Sequence, residues 1–206
     1  DLERARAVAQ RALGVDPGKP DAYNLLGAFL ECRGEWVEAP VLGSIPQADS
    51  GTLQVMVGGT EEQLARLEPL FSRLGRDVRL VGEVGKAAAL KLALNQLIGS
   101  LTTAFATSLA FVRAAGVPTD LFMEVLRPSA LFAPTFDKKL GRMLEAEYAN
   151  PTFPLRLLGK DLRLFERAAR EAGLDPAVVA GVLLGMGRLS QIAVVRMLCG
   201  VFVEFF

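Results

Sequence analysis

Lys91 and Asn95 stand at positions i and i+4 of the alanine- and leucine-rich run KAAALKLALNQ. In a helix that spacing sends both side chains out from one face. A lysine on a largely apolar face is costly unless it is paired or used. Burial also lowers a lysine's pKa, which suits it to give and take protons near neutral pH. The plain alternative is a lysine that reaches solvent from the helix's first turns. A second feature is the stretch PVLGSIPQADSG at 40–51. Gly43 leaves the backbone open to close approach, and Ser44 adds a hydroxyl. Together they could hold a small carboxylate through N–H and O–H donors, or simply connect two strands. Lys160 and Asp161 fall inside an amphipathic helix with Arg156, Arg163 and Arg167, and read as a solvated charged face.

Composition narrows the chemistry. The chain has 206 residues, enough for one or two domains with a sizeable core. Its 23 basic and 23 acidic residues balance, so no basic field calls for nucleic acid or acidic lipid. Histidine is absent, which removes Ser-His-Asp triads, Cys-His pairs and histidine metal sites. Proton transfer must fall to lysine, a carboxylate, tyrosine or cysteine. Cys32 and Cys199 are too far apart in sequence for a metal-ligand spacing. A reducing, cytoplasmic setting is the expectation. The start, DLERARAVAQ, looks helical rather than like a targeting segment and lacks a methionine, so a fragment is expected. Leu92 to Val112 is uncharged, but Asn95, Gln96, Ser100, Thr102, Thr103, Thr107 and Ser108 interrupt it. A helix buried on most sides, in an all-α domain or a dimer, fits that stretch better than a membrane span.

The elements that would position these residues follow from periodicity. Residues 1–34 read as two amphipathic helices separated by Asp16-Pro17-Gly18-Lys19-Pro20. Ala5, Ala9, Ala12, Pro17, Tyr23, Leu26, Gly27, Leu30, Gly34, Trp36 and Ala39 match the phase of a tetratricopeptide repeat. An ordinary helical hairpin is the alternative, with a protein partner possible through residues 1–35. From Trp36 the texture is α/β: WVEAPV and TLQVMVGG read as strands, 61–74 as a helix with a kink at Pro69, and DVRLVGEVG as a third strand. From Lys86 the pattern is helical. A long helix is stopped by Gly116-Val117-Pro118, the next is capped by Thr119 or Asp120, and others cover 136–147 and 155–172, the last closed by Gly173. The tail from Leu189 is apolar and fits either a strand or a docking segment.

EAPVLGS, then ADSGTLQVMVGG, then VGKAAALKLALNQ, then GKDLRLF, in that order, resemble the β-hydroxyacid dehydrogenase family over residues 36–188. This is the family of 3-hydroxyisobutyrate dehydrogenases and glyoxylate or succinic semialdehyde reductases. The resemblance implies a mostly α fold. A short β-α-β remnant of a Rossmann-type domain at 36–85 would precede an all-α catalytic and dimerising domain at 86–188, like the C-terminal domain of 6-phosphogluconate dehydrogenase, built on one long helix. It also implies an NADP or NAD cofactor, a small carboxylate substrate and a homodimer. On the family's pattern, Lys91 is the catalytic lysine and Asn95 the amide that positions substrate. Gly43 and Ser44 bind the substrate carboxylate, and Lys160 closes over the cofactor. The sequence departs from the pattern at Leu42, where the family usually has serine, and at Leu94, often asparagine. It contains no G-x-G-x-x-G, the motif that seats a pyrophosphate on a helix N-terminus. Impaired cofactor binding is therefore expected. A non-enzymatic interaction module is the alternative reading.

Overall fold

The computed structural model describes residues 36–145 and 155–189. The tetratricopeptide-like hairpin of 1–35, the Asn150-Pro151 break and the tail beyond Leu189 lie outside them. The chain divides into two compact units, Asp1–Lys91 and Leu92–Phe206.

The first unit contains a three-stranded sheet, ordered β1 (Val41–Leu42), β2 (Gln54–Gly58), β3 (Asp77–Gly82). β2 is central because its run Val55-Met56-Val57 is apolar on both faces, and all three residues are buried. β1 pairs with it antiparallel, Val41 opposite Val55, while β3 pairs with it in parallel, Val55 opposite Val78. The first strand is shorter than WVEAPV suggests. Upstream of Val41 the pairing with β2 continues through the Met56 N–H, which donates to Pro40 O, and an isolated bridge between Glu38 and Gly58. The expected connecting loop contains a short helix, α1 (Ile45–Asp49), with Pro46 in its first turn and Ser44 as N-cap.

Helix α2 (Glu61–Leu74) makes the parallel crossover from β2 to β3. Thr60 caps it: Thr60 Oγ1 accepts the Gln63 N–H at 3.1 Å, and Gln63 Oε1 accepts the Thr60 N–H at 2.8 Å. Glu61 and Glu62 complement the dipole. The helix spans 61–74 as expected, with Pro69 inside it on its exposed side. Phe71 packs with Val55 and Val57, and Leu64, Leu67, Val78 and Leu80 surround them.

The long helix α3 (Lys86–Ala114) begins in the first unit and runs into the second. A Schellman motif ends it: the Gly116 N–H donates to Arg113 O and the Val117 N–H to Val112 O. Gly116 has φ +76° there, a conformation glycine adopts without strain. The same pair of bonds closes α6 (Leu155–Glu171) at Gly173 and Leu174, as the glycine suggests. Between these helices lie α4 (Thr119–Leu126) and α5 (Pro134–Glu145), and α7 (Ala177–Leu189) follows. Pro118, rather than Thr119 or Asp120, occupies the N-cap position of α4.

The second unit's core gathers Phe105, Leu109, Met123, Phe136, Met143, Leu158, Leu162 and Val179. Phe105 stacks on Phe136 with centroids 4.6 Å apart, an arrangement worth about 0.5–1.5 kcal/mol beyond area burial. Within this single chain α3 is not buried on most sides. One stripe is enclosed, running through Asn95, Gly99, Thr102, Ala106 and Leu109. Leu97, Leu101 and Phe111 are exposed, Phe111 by 72%. By length and composition α3 could cross a membrane, and 28% of its most apolar window is buried inside the chain.

Candidate active site

Lys91 lies on α3 one turn before Asn95. It is half-buried and engaged with a partner. Glu38, in the EAPV stretch, anchors the start of this helix: its Oε2 accepts the Ala88 N–H at 3.3 Å. A carboxylate there complements the positive end of the helix dipole. Glu38 thus ties the first turn of α3, just before Lys91, to the sheet. Nothing in the residue pattern of 36–41 distinguishes that role.

Asn95 is only 5% exposed. Its Nδ2 donates to Asp161 Oδ2 at 2.8 Å. The other Asp161 oxygen, Oδ1, holds the Lys160 ammonium at 2.8 Å, with side-chain exposures of 12% for Asp161 and 59% for Lys160. The structure therefore brings Asn95 and Lys160 together through a shared carboxylate. Asp161 is not on a solvated face, contrary to the expectation from its charged neighbours. Arg156, Arg163 and Arg167 are exposed as that expectation has them. The missed signal lay in the spacing. Asp161 follows Leu158 by three residues and precedes Leu162 by one, at the edge of the apolar stripe of α6. Both leucines are 0% exposed.

Gly99 lets α6 approach. A Cβ on Gly99 would lie 3.2 Å from Leu162 Cδ1 and Cδ2 and 3.5 Å from Leu158 Cδ1. With no side chain between them, the two helices come close enough for Asp161 to meet Asn95. A hydrogen bond to a charged group contributes about 1.5–3 kcal/mol. The half-exposed Lys160–Asp161 pair adds about 0–1 kcal/mol.

Gly43 has φ +147°, and a Cβ there would lie 2.5 Å from Leu53 Cδ2. Both facts favour glycine for the chain's own sake. The expected pair of donors at this corner is reduced. The Ser44 N–H is already taken by Gln47 Oε1 at 3.0 Å. The Ser44 hydroxyl makes no cap hydrogen bond and remains available as a donor.

The turn from β2 to α2 does not fit a pyrophosphate. A Cβ on Gly58 would lie 2.5 Å from Glu38 Oε2, and one on Gly59 would lie 2.7 Å from Gln63 Oε1. The space beside these glycines is thus filled by the chain's own side chains. The capping box occupies the Thr60 and Gln63 N–H groups, and Glu61 and Glu62 would repel an anion.

Comparison with known proteins places this arrangement. Residues 85–186 match the family model described as NAD-binding of NADP-dependent 3-hydroxyisobutyrate dehydrogenase. Residues 19–82 match the model for the NAD binding domain of 6-phosphogluconate dehydrogenase. The chain belongs to the β-hydroxyacid dehydrogenase family. Like other members of this family it pairs a nucleotide-binding-type segment with an α-helical one. The nucleotide-binding match begins at residue 19, so it overlaps the second half of the tetratricopeptide-like stretch. Glyoxylate/succinic semialdehyde reductase 1 of Arabidopsis thaliana is 31% identical over 171 residues, covering 79% of this chain and 59% of that protein. Human cytokine-like nuclear factor N-PAC is 27% identical over 161 residues, covering 73% of this chain and 29% of that protein. Among solved structures, 3-hydroxyisobutyrate dehydrogenase from Salmonella typhimurium superposes with a TM-score of 0.72 at 22% identity. That match covers 84% of this chain and 63% of that one, and it speaks to the fold.

Proposed function

We propose that this chain carries the substrate-binding part of an NAD(P)-dependent dehydrogenase of the β-hydroxyacid type. The reaction would reduce a small carboxylate-bearing aldehyde or oxidise a 3-hydroxy acid. The observation that carries this reading is Asn95. It is a nearly enclosed amide, tied to Asp161 beside Lys160, on the helix that also bears the half-buried Lys91. In this reading Lys91 donates a proton to the carbonyl oxygen during reduction and takes it back in the reverse direction. Asn95 positions the reacting carbon, and Gly43 with the Ser44 hydroxyl receives the carboxylate. Lys160 swings from Asp161 towards the cofactor. A nicotinamide, when bound, supplies or takes the hydride. The filled turn between β2 and α2 and the absence of G-x-G-x-x-G from this sequence support weak cofactor binding by the chain as it stands.

Titrating the full chain with NADPH by fluorescence and assaying glyoxylate and succinic semialdehyde reduction tests this. The expected result is dinucleotide affinity weaker than micromolar and slow turnover, with Lys91→Ala lowering any turnover about 10²- to 10⁴-fold. Turnover that Lys91→Ala leaves untouched refutes the proposal.

A homodimer is part of the same reading. The exposed Leu97, Leu101 and Phe111 form one face of α3 at i, i+4 and i+14. A partner protomer is the natural cover for it. The likeness to N-PAC favours a second reading, a non-enzymatic interaction module. Tight protein binding with no turnover under any nicotinamide would support that one.

A further inference from the structure

Asn95 is a primary amide with one donor end and one acceptor end. Its Nδ2 faces Asp161 Oδ2 at 2.8 Å. The other oxygen of the Asp161 carboxylate meets the Lys160 ammonium at 2.8 Å. A carboxylate accepts and does not donate. It takes the amide nitrogen and rejects the amide oxygen, because a flipped Asn95 would set oxygen against oxygen. Asn95 Oδ1 must then face away from Asp161. Among the described residues no hydrogen bond to Oδ1 accompanies the one from Nδ2, and Oδ1 is not among the enclosed unpartnered side-chain atoms there, where Thr102 Oγ1 is.

We propose that Asp161 is a positioning residue that fixes the polarity of Asn95, so that the site presents an acceptor and selects the hydroxy-acid form of its substrate. The proposal rests on the reading of Asn95 as a substrate contact and adds the direction of that contact. A hydroxy acid brings an O–H that can donate to Oδ1. An ether oxygen at the same place would meet it lone pair against lone pair. Lys160 supports the device indirectly by holding Asp161 in place.

The experiment uses the full chain and two probes, 3-hydroxypropionate and 3-methoxypropionate, which differ in the donor and in one methyl group, so the readout is how their ratio changes on substitution. Calorimetric titration of the wild-type chain is expected to favour the hydroxy acid about five- to tenfold, the worth of one hydrogen bond. In Asp161→Asn the new amide can donate or accept, so Asn95 can turn its Nδ2 to the ligand, and the ratio should fall towards one as the ether's affinity rises. Asp161→Ala takes its place should the asparagine variant fail to fold. The Asn95 side-chain amide resonances supply a readout that needs no ligand. They should move in either variant, through loss of the bond to a charged acceptor. Equal affinities in the wild type, or a preference that survives Asp161→Asn, overturns the proposal. If neither acid binds the wild type, the substrate-contact reading of Asn95 fails. In that case unmoved Asn95 amide resonances overturn the hold of Asp161 as well.

Discussion

Replacing Gly99 with alanine sets two effects of similar size against each other. Alanine is favoured over glycine in a helix interior by about 1 kcal/mol. The added methyl, however, would sit 3.2 Å from both Leu162 δ-carbons and 3.5 Å from Leu158 Cδ1. Both leucines are 0% exposed, so neither can swing into solvent, and overpacking a closed core costs about 1–3 kcal/mol. The clash should win, leaving Gly99→Ala destabilised by about 1 kcal/mol. Gly141 on α5 is the control, since a Cβ there meets nothing within 4 Å. Gly141→Ala keeps the propensity gain and loses nothing, so it should stabilise by about 1 kcal/mol. Urea unfolding followed by helical circular dichroism separates the two variants. Gly99→Ala should also push α6 outwards and weaken the Asn95–Asp161 bond, so its cost and that of Asp161→Asn should not add. If Gly99→Ala stabilises as much as Gly141→Ala, the glycine is not what allows α3 and α6 to approach, and the account of how Asp161 reaches Asn95 falls with it.

Other expectations follow from single groups. Thr102 is 1% exposed with an unpartnered Oγ1, so the isosteric Thr102→Val should stabilise by about 1 kcal/mol. A lower urea midpoint would contradict this. Burial, reinforced by Arg142 and Lys138, depresses the pKa of the half-buried Lys139 below that of the free side chain. Between the folded value and the unfolded one the unfolded chain binds more protons, so stability should rise with pH over that window. Lys139→Met should remove that rise in an unfolding series on the alkaline side of neutrality. Phe111 is 72% exposed on α3, and Phe111→Glu should convert the proposed dimer to monomer by light scattering without lowering monomer stability. A wild-type mass equal to one chain at micromolar concentration would remove the dimer.

Much of the architecture was legible before any coordinates, because it depends on local chemistry. Gly116 and Gly173 mark helix ends because a Schellman turn needs a left-handed residue. The apolar run Val55-Met56-Val57 marks a strand, and the periodicity after Gly59 marks the helix over 61–74. Local signals failed where neighbours decided the outcome. α1 forms within a stretch rich in loop residues because Pro46 sits in its first turn and Gln47 Oε1 accepts the Ser44 N–H.

The sequence alone determined which groups could do chemistry here: one lysine and one amide a turn apart on an apolar helix, no histidine, and a glycine-serine corner. Those are matters of residue type and helical spacing, which a chain carries with it wherever it folds. Tertiary structure alone decided what Asp161 is. Its neighbours in sequence are charged and exposed, but Leu158 and Leu162 pack against Gly99 and draw that carboxylate onto Asn95. Spacing can state which face a side chain occupies, whereas its partner depends on how closely another helix approaches. That closeness is set by the missing side chain of one glycine.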